Sequence, residues 1–444
     1  MEGGFEAART YHPSRMRVFL APSLLLCVFP LVSGVAAAGC SGASNPLGGA
    51  HDGGADGSSS GASSGGGSGG GSGSGSGGGS GGGSGGGSGG GSGSSSGGGS
   101  GSSSGGCPPC DPGNINLPGS ACDLDCSGTV NPPPPCDASL AAAGPAADFA
   151  KALGICKMAT AGSWGLVSAT YTQGYNNATA PNAGQHGILP AFGTVIKPRE
   201  GTNLGVLSSG YAGVCDDPSP TAVCTATGTS DPYFKGAQTG MNVGNGTAPP
   251  GYPKGSAACA VSPMVFDTIG VTLQIQVPKN VAGFSFDFDF HSSEWPEYAC
   301  STFNDEFVAW LQSEAWLGNV GDLNVAFDTA GNVISVNTPF LDRCTANTPT
   351  GCAGTVTGTA SCTAGPNELM GTGFYNLGTY CTTPSTGGGS TGWLTTTAPV
   401  HGGETITLQL IIWDTGDASW DSSVLVDDFK WFAAPQVVKT TPSQ

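Results

Sequence analysis

Basic residues are scarce in this sequence. The chain of 444 residues has 13 Lys and Arg against 31 Asp and Glu, which gives a formal net charge of −18. A surface of this charge repels phosphate backbones, so nucleic-acid binding through counterion release is excluded. The same charge favours cations as partners.

Residues suited to catalysis are also few. The chain has five His, none with the HExxH spacing of a zinc hydrolase, and the GxSxG matches fall in Gly/Ser repeats where they reflect composition. We therefore expect no enzyme activity. The alternative is a secreted glycan-active hydrolase, with His291 beside Glu294, or the pair Glu294 and Glu297, as acid and base.

The N-terminus has the pattern of an export signal. Arg15 and Arg17 precede an uncharged segment, residues 18–38, which ends in small residues before Cys40. This pattern predicts a signal peptide over residues 1–39, with Met16 as an alternative start. The residues AAGC at 37–40 resemble a bacterial lipobox, so we expect Cys40 to carry lipid and to anchor the chain in the membrane. Plain cleavage or an uncleaved membrane span is the alternative.

Glycine is abundant because of one segment. Residues 41–106 are almost entirely Gly and Ser. Together with Cys40, residues 40–106 are predicted to form a disordered linker, whose coil would span roughly 45 Å. Its predicted role is to hold a folded domain away from the membrane.

Residues 107–136 form a short Cys- and Asp-rich module with too few apolar residues for its own core. Oxygen side chains at alternate positions before a glycine match the first half of a Ca²⁺ loop, which nearby Asp and Asn side chains would complete. The segment resembles an Asp- and Cys-rich metal-binding motif of secreted bacterial proteins. A disulfide-held stalk is the alternative, and the Cys spacing also permits zinc. The candidate ligands are Asp111, Asn114, Asn116, Asp123, Asp125 and Ser127.

A short helix followed by strands is predicted for residues 137–434, with residues 435–444 as a tail. Residues 137–155 have a partial helical pattern, with Asp137 or Ser139 as the cap and a break at the Gly-Pro dipeptide 144–145. Apolar residues then alternate with polar ones over 271–277, 284–290 and 406–412. The fold class is therefore all-β: an antiparallel, jelly-roll-like β-sandwich with long disulfide-linked loops.

Two segments carry a family resemblance. Residues 284–311 contain a strand, the turn SEWPE and the strand start FNDEF, and residues 406–432 contain a strand, DTGD and DSSV. These motifs, with QHGILPAFG and LGVLSSGYAG upstream, resemble the choice-of-anchor L domain over residues 137–432. The resemblance implies an exported, surface-displayed β domain without a defined biochemical role.

The loops around these strands are acidic. Carboxylates crowded at strand ends repel one another unless a cation compensates, and Ca²⁺ prefers six to eight oxygen ligands. The candidate ligands are Glu294, Glu297, Asp305, Asp414, Asp417, Asp421, Asp427 and Asp428. The alternative is that they only form turns. Asp287 and Asp289 are expected on a solvated sheet face.

The cysteines predict an oxidising compartment. Those between residues 107 and 381 form an even set, and proximity in sequence favours five pairs, although spacing alone does not fix connectivity. The pairs are Cys136 with Cys156, Cys215 with Cys224, Cys259 with Cys300, Cys344 with Cys352, and Cys362 with Cys381.

The sequence thus predicts a lipoprotein of the cell envelope, facing outward from the outer membrane. Its expected work is adhesion or binding to an envelope protein or matrix, with Ca²⁺ as a structural ion. The alternative is a carbohydrate-binding module, because Trp295 and Trp420 lie in predicted loops where they could stack on sugars.

Overall fold

The computed structural model describes residues 111, 113–115, 117, 134–213, 246–255, 258–352, 358–375 and 387–443. The chain divides into two units, Met1–Ser96 and Gly97–Gln444, and all described residues belong to the second. The predictions for the signal peptide, Cys40, the linker, Asn116, Asp123, Asp125, Ser127, Cys215, Cys224 and Cys381 lie outside these residues. Within them, no helix combines the length and the apolar character needed to cross a membrane.

The described chain is built mainly from antiparallel strands. It contains helix α1 (Ala146–Ala152) and strands β1 (Gly165–Thr172), β2 (His186–Leu189), β3 (Leu204–Ser208), β4 (Val265–Gln276), β5 (Gly283–Ser292), β6 (Glu306–Gln312), β7 (Ile334–Ser335), β8 (Pro349–Thr350), β9 (Gly358–Thr359), β10 (Gly389–Ser390), β11 (Leu394–Pro399), β12 (Thr405–Thr415), β13 (Ser422–Phe432) and β14 (Lys439–Pro442). The expected tail therefore includes an edge strand, β14.

Two sheets form the sandwich. The first has the strand order β1-β4-β12-β6-β7, and the second has the order β14-β11-β5-β13-β3-β2 with β10 beside β5. A separate hairpin pairs β8 with β9. The predicted all-β sandwich is confirmed.

The core follows from the period-two pattern, because alternate side chains of a strand point to one face. Val271, Leu273 and Ile275 of β4 in the first sheet belong to the same buried cluster as Phe286 and Phe288 of β5 in the second. Apolar residues on the two inner faces therefore pack against each other and hold the sheets together.

The outer face of β5 is buried as well. Asp287 is 3% exposed and Asp289 is 0% exposed, so the expected solvated face is wrong. Loop residues Phe192, Leu369 and Phe374 pack in a second apolar cluster on this side of the sheet. The sequence shows the alternation of β5 but not the loops that cover its polar side.

The helix is shorter than predicted. It begins after Pro145 and ends before Gly154, which has a φ of +91°, so the predicted break at the Gly-Pro dipeptide is its start. Asp137 does not cap it, because the Asp137 carboxylate accepts the backbone N–H groups of Thr202 and Asn203 at 2.5 Å. Proline at the helix start costs little, since that N–H has no helical acceptor.

Three disulfides are defined within the described residues. Cys136–Cys156 and Cys259–Cys300 confirm two predicted pairs, with Cα atoms 5.5 and 4.8 Å apart. The third joins Cys344 to Cys362, so the predicted pairing of Cys344 with Cys352, and that of Cys362 with Cys381, is wrong. Cys352 is also disulfide-bonded. The nearest cysteine in sequence is not the partner here, because residues 347 and 360 are joined by a backbone hydrogen bond that brings Cys362 back to Cys344.

Candidate cation site in a buried carboxylate cluster

Four strand ends meet at one end of the sandwich. In the first sheet, β12 pairs with β6 so that Trp413 lies opposite Glu306; in the second sheet, Ser422 of β13 pairs with Ser292 of β5. The acidic residues at these ends are therefore brought together from both sheets, although they are far apart in sequence.

Five carboxylates, here called the carboxylate cluster, lie at this end. Each side chain is between 0% and 2% exposed, and the members are Glu294, Asp305, Asp414, Asp421 and Asp267. Asp267 lies in β4 at a bulge opposite β12, where its φ is +47°. A non-glycine residue at positive φ is uncommon, so this position is constrained by its surroundings.

Asp305 connects the two sheets. Its Oδ1 accepts the backbone N–H of Thr415 at 3.0 Å, and its Oδ2 accepts the hydroxyl of Ser422 at 2.6 Å. The N–H of Asp305 donates to Oε2 of Glu294 at 3.3 Å. These bonds join the start of β6, the end of β12 and the start of β13.

Asp414 is the least compensated member. Within the described part of the chain, neither of its carboxylate oxygens has a hydrogen-bond partner of normal geometry. The charges that act on it come from Asp305, Asp421 and Asp267. A buried polar atom without a partner costs about 1–3 kcal/mol, and more when the group is charged. Some compensation for Asp414 is therefore required.

The electrostatics of the cluster disfavour ionised carboxylates. Burial, followed by repulsion from Asp305 and Asp421, raises the pKa of Asp414 well above its usual value. Burial and repulsion from Asp305 do the same to the pKa of Glu294. Burial raises the pKa of Asp305 to about 8 despite its two hydrogen bonds. In the absence of a counter-charge, these groups would have to hold protons at neutral pH.

Glu306, immediately after Asp305, extends the acidic region. Burial raises its pKa well above the usual value, and the backbone N–H and the charge of Lys254 oppose this rise. The Lys254 ammonium is itself ion-paired with Asp322. Glu306 and Asp267 are not among the ligands predicted from the sequence. The signal that could have identified them is a charged residue inside an otherwise apolar strand.

Asp427 and Asp428 lie elsewhere. Arg199 pairs with Asp287 on β5 at 3.0 Å, and its backbone N–H donates to Oδ2 of Asp427 at 2.6 Å. Lys430 pairs with Asp428 at 2.6 Å. Asp287, Asp427 and Asp428, here called the paired aspartates, thus have basic or backbone partners. Burial nevertheless raises the pKa of Asp427 to about 8.

Two predicted ligands border the cluster. Asp417 is exposed, and its Oδ1 accepts the N–H of Ser419 at 3.0 Å, which is the geometry of a turn former. Glu297 is buried in the turn that follows β5. Asp417 therefore fits the alternative prediction for the acidic loop residues, in which they only form turns.

The described part of the N-terminal module contacts a different region. Asp111 accepts the N–H of Gly113 at 2.8 Å and pairs with Lys279 at 2.7 Å. The carbonyl of Asn114 accepts the indole N–H of Trp164 at 2.9 Å. These contacts attach the segment to the sandwich, and in them the Asp111 carboxylate is engaged by Lys279 and by the backbone of Gly113.

His291 does not face Glu294. Its Nδ1 lies 3.5 Å from Oδ1 of Asp289, and its ring packs against Phe192 and Phe374 with centroids 5.2 and 5.3 Å away. The imidazole is fully buried on the outer side of the second sheet. The geometry therefore gives no support to an acid-base pair of His291 with Glu294.

Oxygen donors at the cluster suit a hard cation such as Ca²⁺. Glu294, Asp305, Asp414 and Asp421 supply carboxylates, and the orphaned oxygens of buried Asp414 are the observation that fits an ion. In the described ranges, no three His, Cys, Asp or Glu side chains are already arranged as metal ligands. Binding would therefore draw the carboxylates closer together.

Residues 261–429 match the family model of the choice-of-anchor L domain. The match runs from just before β4 into β13 and contains every member of the carboxylate cluster. No curated protein and no solved structure matches the chain. Residues 261–429 are therefore a choice-of-anchor L domain, as the motifs SEWPE, FNDEF, DTGD and DSSV predicted, whereas the two upstream motifs lie outside the match. This domain implies a surface-exposed or exported protein.

Proposed function

We propose that this protein is a non-catalytic adhesion domain at the cell envelope, in which Ca²⁺ bound by the carboxylate cluster stabilises one end of the sandwich. The observation that carries the proposal is the burial of five carboxylates at that end, where, in the described residues, neither oxygen of Asp414 has a hydrogen bond of normal geometry. Lipid on Cys40 would anchor the chain in the outer membrane, and the Gly/Ser linker would hold the domain away from it. Cys40→Ala should then release the protein from the membrane.

The argument for a cation is energetic. Transferring an ionised carboxylate from water to the interior costs several kcal/mol even after relaxation. The paired aspartates offset that cost with Arg199, Lys430 and backbone N–H groups. At the cluster, the neighbouring charges are other carboxylates. A divalent cation would compensate several of them at once.

The position of the cluster suits an ion with a structural role. Asp305 and Asp414 belong to strand ends of the first sheet, whereas Glu294 and Asp421 flank strands of the second. An ion shared by these side chains would link the sheets at the end where their loops emerge. Extracellular Ca²⁺ modules bind with a Kd of roughly 10⁻⁴ to 10⁻³ M, which suits an ion that is present outside the cell.

We do not expect the carboxylate cluster to act in catalysis. Its carboxylates are at most 2% exposed, so a polymeric substrate has no access to them. The raised pKa values follow first from burial. We infer that binding to other molecules is done by the surface of the domain, and that the cluster maintains the shape of this surface.

Cell adhesion provides the test. Cells that display the full chain should adhere to a surface coated with purified cell envelope more than cells lacking the gene, and EDTA should reduce this adhesion. Asp414→Asn should reduce adhesion in Ca²⁺, whereas Asp417→Asn, at an exposed turn former, should not. Equal adhesion with and without the gene would contradict the proposed role; adhesion insensitive to EDTA and to Asp414→Asn would contradict the role of Ca²⁺.

A further inference from the structure

A cleft of about 700 Å³ opens beside the carboxylate cluster. One wall is the turn after β5, from Trp295 to Cys300, and the other is formed by residues 328–339 around β7. The turn is continuous with Glu294, and Asn304 on the cleft wall precedes Asp305. The cleft and the cluster are therefore parts of one end of the domain.

The walls of the cleft are held by covalent and hydrogen bonds. The Cys259–Cys300 disulfide joins two lining segments. Across the cleft, Oδ1 of Asp328 accepts the N–H groups of Ala330 and Asn332, each at 2.8 Å. A cleft fixed in this way is largely pre-formed, which is typical of small-molecule sites.

Three polar groups of lining residues lack partners in the described structure. They are the indole N–H of Trp295, the amide nitrogen of Asn337 and the hydroxyl of Thr338. The Thr338 side chain is buried, at 3% exposure. Buried polar groups are normally paired, so three orphaned donors in one cleft indicate a ligand that accepts hydrogen bonds.

The surroundings fix the orientation of these groups. The Asn337 Oδ1 accepts the N–H of Cys300 at 2.6 Å, which directs the amide nitrogen away from that bond. The carbonyl of Trp295 accepts the N–H of Gly388 at 2.6 Å. Its ring lies directly on Gly389, where an added Cβ would be 2.5 Å from ring Cδ1. The aromatic wall is therefore constrained from behind.

We propose that this cleft binds a neutral oligosaccharide. The hydroxyl and ring oxygens of a sugar can accept hydrogen bonds from the orphaned donors, and its apolar face can stack on the indole of Trp295. Small-molecule sites typically combine aromatic side chains with a few precisely placed polar groups. The charged side chains of the cleft are already engaged, Lys254 with Asp322 and Asp328 with its own turn. The net charge of −18 disfavours an anionic glycan.

This inference rests on the proposed adhesion role, since it names the class of ligand. The probe is a panel of neutral di- to tetrasaccharides of glucose, galactose, mannose and N-acetylglucosamine. Titration of the purified protein in Ca²⁺ by calorimetry, up to about 5 mM sugar, covers the millimolar to micromolar range of Kd. At least one sugar should bind.

Two conservative variants locate the binding site. Thr338→Val removes a hydroxyl that has no partner in the described structure, so the fold should be retained while affinity falls about threefold to tenfold for one lost hydrogen bond. Trp295→Phe should weaken binding by a similar factor. The matched controls are Thr170→Val, at an exposed position of β1, and Trp431→Phe, on β13 where the ring packs against Phe284 and Phe429 away from the cleft. Both should leave affinity unchanged.

The outcomes separate this inference from the proposed function. Absence of binding to every sugar, or binding that both cleft variants leave intact, overturns the inference. If adhesion persists in the cell assay while no neutral sugar binds, the ligand is of another class, such as a protein, and the adhesion role stands. If no neutral sugar binds and adhesion is also independent of the gene, the sugar-binding inference and the proposed adhesion role are both wrong.

Discussion

Two groups of buried acidic residues lie in the same sandwich and are compensated differently. The paired aspartates lie on and beside the second sheet and have Arg199, Lys430 and backbone N–H groups as partners. The carboxylate cluster is equally buried, but its members mainly face one another. The difference shows that burial of an Asp does not indicate its role. The charge of its neighbours decides whether it is a structural ion-pair partner or a candidate cation ligand.

The largest effect should come from removing Arg199. Arg199→Ala leaves Asp287, whose side chain is 4% exposed, without its basic partner. Breaking a buried pair on one side costs about 3–5 kcal/mol, and because the Arg199 side chain is 31% exposed, this change should lie near the lower value. Urea unfolding should show the same loss in Ca²⁺ and in EDTA. A loss confined to Ca²⁺ would mean that the two groups are not independent.

Asp414→Asn should give a smaller effect that changes sign with the ion. In EDTA the raised pKa of Asp414 means that folding at neutral pH must place a proton on this carboxyl, and the neutral Asn side chain avoids that cost, so stability should rise. In Ca²⁺ it removes a ligand and should cost up to about 2.7 kcal/mol, the stabilisation expected at a hundredfold excess over Kd. The control is Asp427→Asn, which alters a carboxylate held by backbone N–H groups of Arg199 and Asp428 and should destabilise equally in both conditions. Equal effects of Asp414→Asn in both conditions would contradict a cation site.

The pH dependence of unfolding distinguishes the two groups further. Burial raises the pKa of Asp305 to about 8, so without Ca²⁺ the folded protein keeps a proton that the unfolded chain releases above its ordinary pKa near 4. That contribution to stability is complete below pH ~4 and is lost as the pH rises towards 8, by at most about 1.4 kcal/mol per pH unit. Asp427 has a pKa raised in the same direction and to about 8.

Ca²⁺ should oppose this trend at the cluster alone. Cation binding requires ionised carboxylates and releases their protons, so the stabilisation by Ca²⁺ grows with pH. The difference between unfolding curves in Ca²⁺ and EDTA should therefore widen from about pH 5 to 8. It should widen equally in Asp427→Asn and should vanish in Asp414→Asn. A pH-independent difference would contradict proton release from the cluster.

The smallest effect is expected at the surface. Lys430 is 58% exposed where it pairs with Asp428, and exposed ion pairs contribute about 0.2–1 kcal/mol. Lys430→Ala should therefore lower stability by less than about 1 kcal/mol, and salt should reduce the difference further. Chemical unfolding at low and high ionic strength measures both. A larger loss would show that the Asp428 carboxylate depends on this ammonium.

Much of the fold could be predicted from the sequence, because period-two alternation in β4, β5 and β12 specifies strands with one apolar face. The composition of the candidate site was harder to predict. Asp305 and Asp414 meet because β6 is the neighbour of β12, and strand order cannot be read from alternation. The alternation in β5 predicts a solvated face for Asp287 and Asp289, because the loops that cover this face have no regular sequence pattern. Cys344 likewise pairs with Cys362 through a turn that spacing alone does not show.

The number of Ca²⁺ ions bound per chain tests the central claim most directly. Isothermal titration of the metal-free protein with CaCl₂ should show binding that releases protons, with a Kd of roughly 10⁻⁴ to 10⁻³ M. Asp414→Asn and Asp305→Asn should abolish this signal, and Asp417→Asn and Asp427→Asn should retain it. No Ca²⁺ binding by the wild-type protein, or binding that survives both cluster substitutions, would show that the buried carboxylates are stabilised by protons rather than by a cation.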